Sequence, residues 1–434
     1  ERLRELTGRG LSLEDAVREV RAAGVFTTHT PVPAGHDAFT VEQMERCVGP
    51  VWNELKTSRE TFYGLGHHPE VDHGRFHMTA AAIRLSGRVN GVARKHGDVT
   101  RRMWQALWPG RDEDSIPIAH VTNGVHLATW MSNQMMQLLD EHLGSDWGSR
   151  LDEPGLWNGV LSVDDEKLWR LHLHFKTRLL QFIDDEARRH WRDHWEEASH
   201  LVGAGTLLNP DALTIGFARR FATYKRANLV FSDPDRLRQL LIDPWRPVQF
   251  IFAGKAHPAD DEGKRVLQQV YSFTRDSNFE GRIAFLEDYD MHMAHRLVEG
   301  VDLWLNLPRV PLEACGTSGM KAALNGVPQL GTADGWWDEG FTGSNGWSIP
   351  EPPSGQDPDS WDTEQLYQLL ENEVVPLFYE RDKRGIPIGW IERMKHAVAE
   401  AGARFTGRQM LQRYAGEFYV PVMNGEHKDD PPTV

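Results

Sequence analysis

The sequence has little cysteine, no long apolar run and a shortage of positive charge. Cys47 and Cys315 are its two thiols, too few for a disulfide framework, so we expect a reducing compartment, the cytoplasm. No apolar run approaches the ~18 residues that a membrane span needs, and no signal-peptide pattern opens the chain. Lys and Arg number 48 against 63 Asp and Glu, a net charge of −15. This balance excludes a general nucleic-acid or anionic-membrane binder but allows a local basic pocket.

Several catalytic signatures are missing as well. The chain contains neither the G-x-S-x-G turn of serine hydrolases nor the G-x-x-x-x-G-K-[ST] loop of nucleotide-binding proteins. Histidine is frequent, with 20 residues, but no H-E-x-x-H occurs. The clustered histidines match no zinc spacing: His67, His68, His73, His77, His190 and His194. We therefore expect no catalytic metal.

What is present is an ordinary globular composition. Charged residues make up 26% and hydrophobic residues 40% of the 434 residues, a length that predicts two or three domains. We expect most of the 16 tryptophans in the core, although such rings also serve as stacking faces for sugars. The chain begins without Met, at Glu1, in what reads as the middle of a helix, so we expect a piece of a longer protein.

The first 205 residues read as helices and loops. Hydrophobic spacing predicts a helix over residues 11–22 and a long amphipathic helix over 76–96, with a loop over 27–36 between them. Residues 168–198 are predicted to form one long charged helix, and the tail over 363–422 is helical again.

From Leu213 onward, short apolar runs alternate with helical segments. The predicted strands cover residues 213–218, 248–253, 282–286, 301–307 and 327–331, and the predicted helices lie near 225–241, 262–273, 293–299 and 317–325. Continuous apolar strands separated by helices are typical of a buried parallel sheet of the doubly wound, Rossmann-like kind. Since ligands bind beyond the carboxyl ends of such strands, the loops that follow them are the candidate site.

A cationic cluster follows the first of these strands: Arg219, Arg220, Lys225 and Arg226. Four cations at a strand-to-helix turn of a buried sheet favour an anion that neutralises them, and both Arg and Lys suit phosphate. The alternative is a solvated helix start held by salt bridges. The spacing does not decide between the two.

A loop of small residues opens the predicted helix at 317–325. Gly316, Thr317, Ser318 and Gly319 would expose N–H and hydroxyl groups at the positive end of that helix, which is a typical anion site. Lys321 follows in the helix. It is an exposed lysine, a phosphate clamp or a desolvated amine that forms a Schiff base.

Two further polar residues suit ligand hydroxyls. Glu313 precedes the small-residue loop, where it either accepts hydrogen bonds from hydroxyls or interacts with the helix dipole. Asn123 lies in an Asn-Gly turn, and its amide can donate and accept at once. Turn formation and ligand binding are compatible for Asn123.

Six segments resemble motifs of one family, in the same order along the chain. E-A-C-G-T-S-G-M-K-A-A-L-N at 313–325 closely resembles the pyridoxal-phosphate signature of the α-glucan phosphorylases, the glycogen, starch and maltodextrin phosphorylases. The others are T-H-T at 28–30, V-N-G-V-A-R-K-H at 89–96, T-N-G with Trp130 at 122–130, R-F-A-T-Y-K-R at 220–226 and F-L-E-D-Y at 285–289. The second of these is interpreted as part of a helix.

This resemblance implies a glycosyltransferase B fold, in which two Rossmann-like lobes face each other across a cleft. Residues 1–130 would be the C-terminal part of an incomplete first lobe. Residues 131–434 would be a complete second lobe that binds pyridoxal phosphate and whose terminal helices pack back toward the first. The implied enzyme is a hexosyltransferase: it transfers the terminal glucosyl unit of an α-1,4-glucan to inorganic phosphate, releases α-glucose 1-phosphate and is usually a homodimer.

The resemblance also implies residue roles. Lys321 would hold pyridoxal 5′-phosphate as a Schiff base, with Trp130 and Tyr289 near its ring. Thr317, Lys225 and Arg219 would surround its 5′-phosphate, and Arg220 with Lys225 would bind the substrate phosphate. The hydroxyls of the transferred glucose would contact His29, Asn123, Tyr224, Glu313, Cys315 and Gly316. The implied catalytic set is Lys321, Arg220, Lys225, His29 and Glu313.

Two alternatives stay open. Nucleotide-sugar glucan synthases share the implied fold but carry Glu-x₇-Glu at the matching loop; here the residue eight after Glu313 is Lys321, which favours the phosphorylase. An inactive glucan-binding or regulatory protein is the second alternative, because nothing in residues 1–130 corresponds to the family's Gly-rich phosphate loop.

Overall fold

The computed structural model describes residues 1–71, 74–153, 155–194, 198–426 and 431–432, with the side chains of 190–199 outside the description. It divides the chain into two compact units. The small unit comprises Glu1–Asn123, Pro311–Cys315 and Gln409–Val434, and the large unit comprises Gly124–Val310 and Gly316–Arg408. The boundary predicted at residue 130 separates the two lobes of the implied fold. These compact units are a different division of the chain, so that boundary stays a prediction.

The small unit is built on a three-stranded parallel sheet. Its elements up to residue 123 are α1 (Arg2–Gly8), α2 (Leu13–Ala23), β1 (Val25–Thr27), β2 (Ala38–Thr40), α3 (Val41–Val48), α4 (Val51–Glu54), α5 (Arg59–Gly64), β3 (Arg75–His77), α6 (Met78–Arg84), β4 (Arg88–Gly91), α7 (Arg94–Trp104) and β5 (Ile118–His120). The sheet order is β1-β4-β5, while β2 and β3 form an antiparallel pair. The helix expected over 11–22 is confirmed as α2, which Ser12 caps.

The prediction of one long helix over residues 76–96 is wrong, and so is the prediction that this part of the chain forms only helices and loops. The segment forms β3, α6, β4 and the start of α7. Val89 and Asn90 pair with strands on both sides, and Gly91 approaches the backbone of α7 so closely that a Cβ there would lie 2.9 Å from the Gly97 nitrogen. Pairing with distant strands has overridden the helical spacing of the apolar residues.

The large unit contains the longest helix and the main sheet. Its elements are α8 (Leu127–Trp130), α9 (Asn133–Leu143), α10 (Asp165–His194), α11 (Ala198–Gly203), β6 (Leu213–Ala218), α12 (Pro234–Ile242), β7 (Val248–Ala253), α13 (Asp261–Thr274), β8 (Ile283–Leu286), α14 (Met291–Gly300), β9 (Leu303–Asn306), α15 (Thr317–Ala323), β10 (Gln329–Thr332), α16 (Trp337–Gly340), β11 (Gly346–Ile349), α17 (Pro358–Leu369), α18 (Val375–Tyr379) and α19 (Ile388–Arg404). Two helices follow, α20 (Gly407–Tyr414) and α21 (Val420–Met423). Within the described ranges, no helix has the length and apolarity to cross a membrane.

The main sheet is parallel throughout, with the strand order β11-β10-β9-β6-β7-β8. The chain moves outward from β6 in one direction and, after β8, returns to place β9 on the other side of β6. This confirms the doubly wound, Rossmann-like sheet and makes the gap between β6 and β9 its topological switch point. All residues of β6 to β10 are buried, which explains their apolar runs.

A buried ionic cluster fixes α10 to the amino edge of this sheet. Asp302, just before β9, accepts hydrogen bonds of 2.7 Å from Lys176 Nζ, from His172 Nε2 and from the backbone N–H of Thr214. Lys176 also donates to the Ala212 carbonyl over 2.6 Å. Burial alone would raise the pKa of Asp302, but Lys176 and His172 together lower it. We conclude that the carboxylate is held ionised within the fold.

Candidate active site

Lys321 lies over the indole ring of Trp130. Its Nζ is 3.6 Å from the ring centroid. Gly316, in the left-handed conformation with φ +80°, turns the chain into α15, which carries Lys321 at the carboxyl edge of the sheet after β9. The side chain is largely removed from water, and this burial lowers the pKa of the amine. A larger fraction of the amine is therefore neutral and nucleophilic than in an exposed lysine.

The cationic cluster lies at the switch point of the sheet. Arg219 follows β6 and hydrogen-bonds the side chain of Asn306, which ends β9. Lys225 is buried, with its Nζ 4.5 Å from the Tyr224 ring centroid. Arg220 is exposed and forms no ion pair with the described part of the chain. These residues present positive charge beyond the carboxyl ends of β6 and β9.

The fourth cation has a structural role. Arg226 is buried and pairs with Asp362 over 2.6 Å and with Asp359 over 2.9 Å. It also donates to the carbonyls of Leu307 and Pro308. For Arg226 the salt-bridge interpretation of the cluster therefore holds, and this residue anchors the loop that carries the other three.

Tyr289 and Thr317 lie on two further loops at the same edge. Tyr289 follows β8 and packs against the buried hydrophobic cluster that includes Leu286 and Met293. Burial raises the pKa of its phenol, an effect that Arg219 partly offsets, so the hydroxyl stays protonated. Thr317 is the first residue of α15, where the first-turn N–H groups have no partners within the helix.

Four of the predicted glucose-binding residues belong to the small unit, whereas Tyr224 and Gly316 belong to the large unit with the predicted cofactor and phosphate residues. His29 is exposed after β1. Asn123 is half-buried, and its backbone N–H donates to the Val92 carbonyl over 3.0 Å. Glu313 and Cys315 are buried.

Within the described residues, no group of three or more His, Cys, Asp or Glu side chains could hold a metal ion. His68 and His77 lie with their ring centroids 5.9 Å apart. His73 and the side chains of His190 and His194 are outside the described residues, so the expectation about a metal stays untested for them.

A family model described as carbohydrate phosphorylase matches residues 6–337. The chain belongs to the carbohydrate phosphorylase family. It is 42% identical over 422 residues to a glycogen phosphorylase of Aquifex aeolicus and 44% identical over 432 residues to a glycogen phosphorylase of Mycobacterium tuberculosis. It is also 42% identical over 420 residues to a maltodextrin phosphorylase of Thermococcus litoralis.

These three phosphorylases are longer proteins. The matches cover 97%, 97% and 95% of this chain but 60%, 50% and 48% of the respective relatives. The chain thus spans about half the length of the curated relatives it matches. The parallel six-stranded sheet agrees with the glycosyltransferase B fold predicted for a phosphorylase.

Asn325 is one residue of this phosphorylase-family chain whose role the sequence did not reveal. It is fully buried, and its amide nitrogen donates to the Trp130 carbonyl over 2.7 Å and to the Lys321 carbonyl over 3.0 Å. Its amide oxygen accepts the Ser132 backbone N–H over 2.9 Å. Asn325 therefore joins the segment of Trp130 to α15. Asn325 lies four residues after Lys321 in the helix predicted over 317–325, but α15 ends at Ala323, so no helix face links the two residues.

His295 is the second such residue. Its imidazole stacks on Trp130, with ring centroids 4.5 Å apart and an interplanar angle of 19°. Burial, followed by the charge of Lys321, lowers the pKa of His295, which favours the neutral ring at pH 7. No sequence pattern marks His295, because its contact depends on how α14 packs against Trp130.

Proposed function

We propose that this chain is the cofactor-binding part of a pyridoxal-phosphate-dependent α-glucan phosphorylase, a hexosyltransferase. The reaction transfers the terminal glucosyl unit of an α-1,4-glucan to inorganic phosphate and releases α-glucose 1-phosphate. The observation that carries the proposal is the half-buried Lys321 amine over the Trp130 ring, on helix α15 at the carboxyl edge of the sheet. The family match supports the same reaction class.

The residues around Lys321 fit pyridoxal 5′-phosphate. A largely desolvated amine is suited to form a Schiff base, and Trp130 offers an aromatic face beside it. Thr317, Arg219 and Lys225 would hold the 5′-phosphate, with Tyr289 near the ring. When bound, the cofactor would supply a phosphate group that exchanges a proton with the substrate phosphate.

The chain's cations would permit two phosphates to lie close together. Arg220 and Lys225 would bind the substrate phosphate, because opposite charges offset the repulsion between the two anions. A phosphate oxygen replaces the glycosidic oxygen at the anomeric carbon, on the same face of the sugar. The proton on the substrate phosphate passes to the departing glucan hydroxyl. Arg220 suits this role because its exposed guanidinium has no internal ion pair among the described residues.

Glucose recognition would fall to the six residues that the family resemblance assigns to it. The buried carboxylate of Glu313 would accept hydrogen bonds from glucose hydroxyls, a contact that strengthens away from water. His29, Asn123, Tyr224, Cys315 and Gly316 would complete the hydroxyl contacts. We also propose a cytoplasmic location and a homodimer for the protein that carries this chain.

The family match favours this proposal over the two alternatives. A nucleotide-sugar synthase would use a second glutamate where this chain has Lys321, and the matched relatives are named phosphorylases. An inactive glucan-binding protein would have no need for a half-buried lysine over an aromatic ring. We therefore propose that the chain takes part in phosphorolysis and is not an inactive glucan-binding protein.

Cofactor attachment gives the direct test. Purified protein would be incubated with pyridoxal phosphate, scanned for a near-ultraviolet absorption band, reduced with borohydride and mapped by peptide mass spectrometry. We expect the band and a single label on Lys321, together with phosphate-dependent release of glucose 1-phosphate from maltodextrin. A colourless protein, or a label on another lysine, would overturn the assignment.

A further inference from the structure

Three buried side chains of the main sheet and the loop after it carry polar atoms without partners. Asn306, Gln329 and Trp336 are each only 1% exposed. Both amide atoms of Gln329, the amide nitrogen of Asn306 and the indole nitrogen of Trp336 form no hydrogen bond with the described part of the chain. Since an unpaired polar group in the interior destabilises a fold, these groups require an explanation other than stability.

The pairing of β9 with β10 places two of these residues on one face of the sheet. Gln329 lies opposite Trp304, and Gly331 lies opposite Asn306. Paired residues, and residues two positions apart on one strand, share a face of the sheet. The Trp304 indole N–H donates to the Ser318 hydroxyl over 3.3 Å, so this is the face that α15 covers.

Gly319 of α15 lies directly against these side chains. A Cβ at Gly319 would overlap the amide oxygen of Gln329 and would lie 2.8 Å from the indole nitrogen of Trp336. A Cβ at Gly331 would lie 3.0 Å from the amide nitrogen of Gln329. The Gln329 carboxamide therefore fills the space between α15 and β10, and glycine at both positions permits the close approach.

The same side chains reach the cationic loop after β6. Arg219 donates a hydrogen bond to the amide oxygen of Asn306, which ends β9. The amide nitrogen of Asn306 stays unpaired among the described residues. The buried polar atoms thus adjoin both segments proposed to hold the cofactor phosphate, the loop of Arg219 and the helix that begins with Thr317 and carries Lys321.

Donors outnumber acceptors among the unpaired atoms. Three of the four are N–H nitrogens, and one is the amide oxygen of Gln329. An N–H group without an acceptor keeps its partial positive charge, which acts more strongly in a dry interior than in water. We call Asn306, Gln329 and Trp336 the donor layer. Its excess of positive partial charge lies beneath the start of α15, where an anion would be favoured.

We propose that the donor layer strengthens binding of the cofactor phosphate, while it destabilises the protein without cofactor. This inference rests on the proposed function, which supplies pyridoxal 5′-phosphate as the anion. The three side chains are buried beneath α15 and act through Thr317 and Arg219. They are therefore positioning residues and not catalytic ones.

A comparison of pyridoxal 5′-phosphate with pyridoxal, which lacks the phosphate, tests the donor layer. The cofactor-free 434-residue chain is incubated with each compound at increasing concentration and reduced with borohydride. Peptide mass spectrometry then gives the concentration for half-maximal label on Lys321. Urea denaturation of the cofactor-free protein is measured in parallel.

Gln329→Met keeps the length of the side chain and removes both amide atoms. We expect about fivefold weaker binding of pyridoxal phosphate, unchanged binding of pyridoxal and a urea midpoint at or above that of the wild-type protein. Trp336→Phe removes one donor and keeps an aromatic ring, so it should reduce the preference for the phosphorylated compound in the same direction.

Gln249→Met is the matched control. Gln249 is a buried glutamine of the same sheet, in β7, but its amide is bonded at both ends. Its oxygen accepts the backbone N–H of Asn209 over 2.8 Å, and its nitrogen donates to the Asn209 carbonyl and the Thr214 hydroxyl over 2.9 Å each. The same substitution should here lower the urea midpoint and leave the preference for pyridoxal phosphate unchanged.

A loss of both compounds by the same factor in Gln329→Met would assign a purely structural role to Gln329 and overturn the donor layer. So would an unchanged preference in both Gln329→Met and Trp336→Phe, or a urea midpoint of Gln329→Met that falls as far as that of Gln249→Met. In all these cases Lys321 of the wild-type protein is still labelled. Absence of that label with both compounds would instead contradict the proposed function, so the two failures are distinguishable.

Discussion

At the scale of single residues, Lys321 is subject to two opposing effects. Burial destabilises its charged form and lowers the pKa, while the face of Trp130 attracts the cation. Burial prevails, because the pKa of Lys321 is lowered. The ring thus holds the amine in place without restoring the full basicity of an exposed lysine.

Lys321→Ala should abolish covalent attachment of pyridoxal phosphate and phosphorolysis while leaving the fold intact, because the Lys321 side chain forms no ion pair with the described residues. The near-ultraviolet band, glucose 1-phosphate release and far-ultraviolet circular dichroism measure the three properties. Lys264→Ala, an exposed lysine of α13 paired with Asp261, is the control and should retain all of them. A Lys321→Ala protein that releases glucose 1-phosphate normally would contradict the assignment.

The lowered pKa of Lys321 predicts a pH dependence. A group with a lower pKa loses its proton at lower pH. In the cofactor-free protein, an amine-specific reagent should therefore modify Lys321 at pH values where exposed lysines are still protonated. Competitive labelling with trace acetic anhydride between pH ~6 and ~11, followed by peptide mapping, measures the midpoint. We expect that midpoint below the value of 10.5 usual for lysine. A midpoint at or above 10.5 would show that burial does not lower the pKa of Lys321.

Arg220→Ala should chiefly weaken phosphate binding. Loss of a charge-assisted contact of about 1.5–3 kcal/mol corresponds to a rise of about 10- to 150-fold in the apparent KM for phosphate. The KM for glucan should change little. Steady-state kinetics with each substrate varied in turn measures both, with Arg238→Ala, an exposed arginine of α12, as the control. An unchanged phosphate KM would remove Arg220 from the site.

At the scale of elements, apolar runs predicted the main sheet because its strands are buried on both faces. The predictions for β6, β7 and β8 coincide with the structure within one residue. β4 was misread because Val89 and Asn90 do not interrupt the helical spacing of the apolar residues, and their partners Phe26 and Thr27 in β1 lie 63 positions earlier. β11 was missed, since Gly346 and Ser348 weaken a four-residue run.

The candidate site was predictable where a motif is contiguous and not where contacts are distant. Lys321 and Trp130 follow from short segments. The role of Asn325 depends on Ser132, 193 positions away, and that of His295 on the packing of α14. Hydrogen bonds between distant segments leave no periodicity in the sequence, which is why these two residues required the structure.

Asn325→Ala should destabilise the protein and disturb Lys321 together. The variant leaves the Ser132 N–H and the Trp130 carbonyl without their buried partner, at a cost of about 2–4 kcal/mol in the free energy of unfolding. Urea denaturation measures this cost, and the yield of borohydride label on Lys321 measures the disturbance. Asn228→Ala, which removes an exposed side-chain hydrogen bond to Gln269, should change neither the stability nor the labelling of Lys321. Normal labelling in Asn325→Ala would limit Asn325 to stability.

At the scale of the whole molecule, chemistry and anchoring occupy opposite edges of the main sheet. The proposed reaction uses loops after β6 and β9, whereas the cluster of Asp302, Lys176 and His172 fixes α10 at the amino edge. The anchoring cluster is fully buried. Its disruption should therefore act on stability without touching any group proposed to contact substrate.

Lys176→Met should cost about 3–5 kcal/mol of unfolding free energy, because it leaves the Asp302 carboxylate buried without its lysine. Urea denaturation followed by circular dichroism provides the measurement. The control is Lys167→Met on the same helix, which removes an exposed pair with Glu141 and should leave the denaturation midpoint nearly unchanged. A similar loss of unfolding free energy in both variants would show that the buried cluster stabilises the protein no more than the exposed pair does.

The order of the six parallel strands also has a kinetic consequence. Ile215 meets Leu303 across the central pair, and every other strand contact spans a complete crossover, so no hairpin can nucleate the sheet. A newly synthesised chain must therefore expose apolar segments for a long interval before they find their neighbours. Recovery from denaturant should be slow and prone to aggregation, and yields should improve with dilution, low temperature or added chaperone.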